Sequence, residues 1–162
     1  EDPEYFAECE RLVRDLDVAG TVEFTGTVNI VDYMPRIHVC VLTSLSESQP
    51  LVILEAGAAR IPFVATNVGS CREIIEGRPD EVPALGPGGI VCDLVAPNQI
   101  ANAVGALLLD PQRRRRGGEA LLARVANTYT ARQAVEAYTT LYARLVAMPT
   151  AQQVPLSDVQ EA

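Results

Sequence analysis

The chain contains no lysine; all 13 of its basic residues are arginine. Tryptophan is absent too, and His38 is the single histidine. One histidine cannot build a metal cluster, and His38 opens an apolar strand-like run, so it reads as structural. The four cysteines, Cys9, Cys40, Cys71 and Cys92, are never two or three positions apart. That removes the chelating spacings of zinc sites and leaves scattered reduced thiols. No apolar run approaches the roughly 20 residues of a membrane span, and the start shows no signal-peptide pattern. Positive charge is also scarce: 21 acidic residues outnumber the 13 basic ones and leave a net charge of −8. This argues against a nucleic-acid footprint, which needs a basic face. It argues equally against adhesion to anionic lipid by charge alone.

What is present fits one α/β domain. The 162 residues are 48% apolar and 21% charged, enough for a core without disulfide staples and too apolar for disorder. The missing lysine and the start at Glu1 suggest a piece of a longer protein. Residues 1–148 read as the folded domain, and 149–162 as a polar tail that frays.

Strands and helices alternate along the chain. Tyr5, Cys9, Leu12, Val13 and Leu16 share one face of a first helix opened by Pro3. Thr21–Phe24 alternates like a short strand. Asn29 caps a short helix from Ile30. His38–Leu42 reads as a strand buried on both faces. Pro50–Ala59 reads as a helix and Pro62–Thr66 as another buried strand. Ser70 and Glu73 form a capping-box pattern for a helix through Ile75. Gly77–Gly89 reads as a mobile loop, and Gly89–Cys92 as a last strand. Helices follow from Pro97, from Asp110-Pro111 and from Thr130, the last striped by Val135, Tyr138, Tyr142 and Leu145. The run Arg113–Arg116 reads as a solvated helix face. Such alternation implies parallel strands with right-handed crossovers, a Rossmann-like doubly wound sheet with helices on both faces.

In an open parallel sheet, ligands bind outside the carboxyl ends of the strands. The segment Thr43-Ser44-Leu45-Ser46-Glu47-Ser48-Gln49-Pro50 is one such loop. The helix after it leaves the amides of Leu51 and Val52 without internal partners, and its dipole favours an anion. A diphosphate suits that position. Glu47 stands before it, and Glu55 lies five residues into the helix, about 7.5 Å along its axis. Two carboxylates beside a diphosphate repel it unless they contact neutral parts of the ligand. Vicinal hydroxyls of a ribose and a hexose are such parts. On spacing alone a second reading stands beside this one, with Glu47 on a loop surface and Glu55 on a polar helix face. The apolar neighbours of Glu55 make a solvent position harder to expect.

Ser46-Glu47-Ser48-Gln49-Pro50-Leu51-Val52-Ile53-Leu54-Glu55-Ala56 resembles the E-x7-E signature of GT-B retaining glycosyltransferases of family 4, also called group 1. Pro62–Glu73, Phe24-Thr25-Gly26 and the Tyr138–Tyr142 helix match further blocks, so the likeness covers roughly residues 1–146. Val68-Gly69-Ser70-Cys71-Arg72-Glu73 and the opening Glu1–Tyr5 are similar to the PelF-type subgroup of exopolysaccharide synthesis. The resemblance implies the C-terminal, nucleotide-sugar-binding half of a two-domain cytoplasmic hexosyltransferase with a UDP-glucose-type donor. Its missing N-terminal half would bind the acceptor, in a membrane-associated polysaccharide synthesis complex. In that role Glu47 contacts the donor sugar as the catalytic carboxylate, and Glu55 holds the ribose. The backbone of Gln49, Pro50, Leu51 and Val52 lines the diphosphate, Ser48 is a further donor-binding residue, and Gly26, Thr27 and Val28 lie against the base. The resemblance implies no metal and no cofactor; the family's basic pair for the diphosphate lies upstream of residue 1. Arg60 departs from the family's glycine at a position that often needs a left-handed backbone, and Asn67 replaces a frequent Asp. Two other classes fit the fold: a non-catalytic interaction or regulatory domain, and a sugar-nucleotide epimerase. The second lacks an acid/base partner in these loops.

Overall fold

The computed structural model describes residues 2–147. They divide into two compact units between Tyr33 and Met34. The expected tail, 149–162, lies outside the described residues.

In the first unit, α1 (Pro3–Asp15) starts at Asp2, whose carboxylate accepts from the amides of Glu4 at 3.0 Å and Tyr5 at 3.2 Å. None of its apolar stripe is fully buried: Tyr5, Leu12 and Leu16 are exposed and Cys9 and Val13 half-buried. The expected strand Thr21–Phe24 does not form. The amides of Thr21 and Val22 both turn back to the Val18 carbonyl, at 2.9 and 3.2 Å. Phe24 sets its ring edge-on against Phe6, with centroids 5.2 Å apart. With its first two amides closing a turn, the segment lacks the donors that would start a ladder. Asn29 then caps α2 (Ile30–Tyr33), its side chain accepting from Val31 at 3.3 Å.

The second unit opens with a 3-10 turn, Met34–Arg36. There follow β1 (Cys40–Leu42), α3 (Leu51–Ala58), β2 (Phe63–Thr66), α4 (Cys71–Glu76), β3 (Gly89–Cys92), α5 (Pro97–Leu109), α6 (Pro111–Thr128) and α7 (Ala131–Ala147). The strands lie parallel in the order β1-β2-β3, in a register that places Val41, Val64 and Ile90 side by side. Central β2 is buried throughout. Its side chains alternate between two cores, as strand geometry requires. Phe63 and Ala65 pack with Ile53 and Ala56 of α3, Ile74 and Ile75 of α4 and Leu121 of α6. Val64 packs with Cys92 of β3 and Ala103 and Leu107 of α5. The doubly wound layer is therefore present, with three strands among the described residues where the sequence pattern suggested four.

β1 corrects another expectation. It is an edge strand with Val41 45% exposed, and His38 lies outside it in solvent. Apolar composition alone does not tell an edge from a centre, because burial of the outer face depends on what covers it. α3 meets α6 at Gly57, where an added Cβ would stand 2.8 Å from Val125 Cγ2 and 2.9 Å from Leu121 Cγ. Beyond α3 the chain passes through Arg60 at φ 59°, the left-handed conformation expected at that departure from glycine.

The capping box at α4 does not form. Ser70 makes no side-chain cap, and Glu73 accepts from the Tyr129 hydroxyl at 2.8 Å instead. Burial first and that bond second push Tyr129 up to about 12. The stretch after α4 is irregular as expected, yet it is tied down. Arg124 of α6, 2% exposed, donates to the Glu81 carboxylate at 2.6 and 2.8 Å and to the carbonyls of Ile74, Ile75 and Gly86. The Arg113–Arg116 run lies in the first turns of α6, where Asp110 caps the Arg113 amide at 2.9 Å. Arg114 reaches back to the last carbonyls of α5, at Leu107 and Leu108.

Candidate functional site

The loops leaving β1 and β2 meet at the carboxyl end of the sheet. Buried Thr66, the last residue of β2, donates its hydroxyl to the Ser44 carbonyl at 2.6 Å. The Ser44 hydroxyl donates to Glu47 Oε1 at 2.7 Å. From the other side, the Ser70 amide donates to the Ser48 carbonyl at 2.9 Å. Gly69, at φ 50°, lets the two loops touch. A Cβ there would run into the carbonyl oxygens of Glu47 and Ser48. Glu47 is thus half-buried and fixed between Leu45 and Ser46 on one side and Ser48 on the other, all exposed.

α3 begins at Pro50, which is buried and supplies no side-chain cap. Proline fixes the entry angle and has no amide of its own to satisfy. Ile53 donates back to the Pro50 carbonyl at 3.2 Å. The amides of Leu51 and Val52 have no carbonyl one turn earlier to bond. Ser48, Gln49 and Leu51 are exposed here and Val52 is half-buried. Gln49, Leu51 and Leu54 form one wall of a cleft of about 600 Å³, whose opposite wall is the start of α7 near Thr130 and Gln133.

Glu55 is exposed, against the expectation that its apolar neighbours leave it no place in solvent. The reason is α3's geometry: Ile53, Ala56 and Gly57 face the core, while Leu51, Glu55 and Ala58 fall on the opposite, open face. Glu55 has no hydrogen bond or ion pair among the described residues. The second unit therefore brings together Glu47, Ser48, Gln49, Pro50, Leu51, Val52 and Glu55 at one helix start. Gly26, Thr27 and Val28 belong to the first unit, in an irregular segment with Gly26 at φ 61°.

Three residues of this arrangement escaped the sequence reading: Ser44, Thr66 and Gly69. Ser44 left a faint signal, a hydroxyl three positions before a carboxylate in a loop of hydroxyls. Burial pushes the Cys71 thiol, beside the second loop, above its ordinary value. Among the described residues no group of three or more His, Cys, Asp or Glu side chains could hold a metal ion. No described helix is long and apolar enough to cross a membrane.

Residues 1–110 match the family described as glycosyl transferases group 1. The chain belongs to that family. It is 29% identical over 138 residues to N-acetyl-alpha-D-glucosaminyl L-malate synthase of Bacillus anthracis, covering 85% of this chain and 34% of that protein. Among solved structures it is similar to sucrose-phosphate synthase of Thermosynechococcus elongatus. The TM-score is 0.75 and the identity 27%, over 87% of this chain and 34% of the other. The C-terminal domain of a glycosyl transferase group 1 protein of Francisella tularensis shares the fold, with TM-score 0.68 and 24% identity over 80% of this chain and 65% of that one. The group 1 chain described here spans about a third of the length of the first two relatives. Its parallel sheet flanked by helices is a fold it shares with these GT-B glycosyltransferases.

Proposed function

We propose that this chain is the nucleotide-sugar donor domain of a retaining hexosyltransferase of family 4. Its donor is a nucleoside-diphosphate hexose of the UDP-glucose type, and its setting is exopolysaccharide synthesis, like that of the PelF-type members. The observation that carries the reading is the pair of carboxylates around the start of α3. Glu47 is held rigid with one oxygen free, and Glu55 is open and unengaged. Free amides between them suit the diphosphate. Glu47 meets the donor sugar and Glu55 the ribose hydroxyls.

The chemistry is departure of the nucleoside diphosphate from the anomeric carbon, with acceptor attack on the same face. Stabilising the charge on the leaving diphosphate supplies most of the acceleration. No side chain in these loops is placed as a general base, and the acceptor binds a further domain, so the chain by itself turns over no sugar. Calorimetric titration with UDP, GDP and their hexose conjugates tests the reading. A UDP response that Glu55→Ala removes, and that Glu136→Ala on exposed α7 leaves intact, is the expected result. Failure of every nucleotide to bind, or equal binding by Glu55→Ala, rejects it.

A further inference from the structure

We propose that Ser44 is a positioning residue for the donor sugar, acting through Glu47; this rests on the assignment of Glu47 made above. The loop from Thr43 to Gln49 has four hydroxyl side chains, and three of them, those of Thr43, Ser46 and Ser48, are exposed with no side-chain hydrogen bond among the described residues. Ser44 alone turns inward, and it is held at two points. Its carbonyl is fixed to the end of β2 by Thr66 Oγ1 at 2.6 Å, and its own hydroxyl donates to Glu47 Oε1 at 2.7 Å. A hydroxyl fastened to the central strand through its own backbone is a rigid donor, and bonds to an ionised acceptor are the strong ones.

The consequence is directional. Oε1 is occupied, while Oε2 accepts from no protein group among the described residues. A glutamate side chain has three rotatable bonds, and in a loop whose neighbours are exposed it would sample many rotamers. The Ser44 bond removes that freedom before the ligand arrives, so that one oxygen is presented to a sugar hydroxyl at no further ordering cost. The Gly69 contact and the Ser70–Ser48 bond fix the backbone of Glu47 and Ser48, and Ser44 fixes the carboxylate. Nothing else in the loop does the latter.

The inference separates the hexose from the nucleotide, and that separation is the test. Ser44→Ala, Ser44→Cys, Ser44→Thr, Glu47→Ala and the double variant Ser44→Ala/Glu47→Ala are titrated with UDP-glucose and with UDP. GDP-mannose and GDP replace them if the parent chain binds guanine. Ser44→Ala and Ser44→Cys are expected to weaken the sugar conjugate by about tenfold or more, the scale of one hydrogen bond to a charged group, and to leave the bare nucleotide within about twofold. Ser44→Thr restores the parent affinity. The double variant binds no more weakly than Glu47→Ala, because the two residues act as one unit. Equal weakening of both ligands, a failed threonine rescue, or additive losses would overturn the proposal. If Glu47→Ala itself leaves the sugar conjugate unaffected, the assignment of Glu47 fails and takes Ser44 with it. If Glu47→Ala weakens the conjugate and Ser44→Ala does not, only the positioning role is lost.

Discussion

Arg60 shows how one residue can carry a cost that its side chain does not explain. At φ 59° it occupies a conformation that glycine enters freely and other residues enter at about 1 kcal/mol. The position ends α3, where a left-handed residue commonly closes a helix. Arg60→Gly is therefore expected to stabilise the fold by up to about 1 kcal/mol, less the extra chain entropy that glycine brings to the unfolded state. Urea denaturation of the two proteins measures it, and a destabilised glycine variant would show that the arginine side chain contributes more than the backbone costs. Glu55 teaches the complementary lesson. Its apolar neighbours made it look out of place, yet they face inward and it faces out.

At the scale of elements, the contact between α3 and α6 positions the site from behind. Gly57 lets the helices close, with Val125 and Leu121 under 3 Å from where a Cβ would sit. Gly57→Ala gains helix propensity of about 1 kcal/mol but forces a repacking that costs about 1–3 kcal/mol. We expect a net loss of stability in chemical denaturation, accompanied by weaker nucleotide binding, since α3 carries the free amides. A more stable alanine variant would mean that α6 yields without penalty. Helix periods in the sequence anticipated α3, α5 and α6, which span enough turns to declare one, while the short strands β2 and β3 showed as apolar runs between turn residues. The failed strand at Thr21–Phe24 and the failed capping box at Ser70 are four-residue patterns. Patterns that short are decided by whichever partner lies closer, here Val18 for the first and Tyr129 for Glu73.

Across the whole molecule, Arg124 links α6, the end of α4 and the loop around Glu81. The Arg124 guanidinium bonded to Glu81 holds that carboxyl below its ordinary value of 4.5, against a smaller opposing effect of burial. A carboxyl whose value is depressed by folding stabilises the folded state fully above its unfolded value, and that contribution disappears as the pH falls through the folded one. Thermal melting is thus expected to drop below about pH 4.5, and Glu81→Gln to flatten that part of the profile. At neutral pH the same variant costs about 3 kcal/mol or more, because it leaves a buried cation short of its counter-charge. A melting curve with the same acid limb in both proteins would place the titration elsewhere.

The sequence by itself determined the alternation of elements, the central burial of β2, the acidic balance and the two carboxylates of the family signature. These are local or periodic properties, written in neighbours a few positions apart. Tertiary structure decided the rest. It made β1 an edge, turned Glu55 outward, tied the glycine- and proline-rich loop to Arg124, and linked Thr66 to Ser44 across 22 positions. Each of these depends on groups distant in the chain meeting in space, and a hydrogen bond between such groups leaves no period for a sequence reader to find.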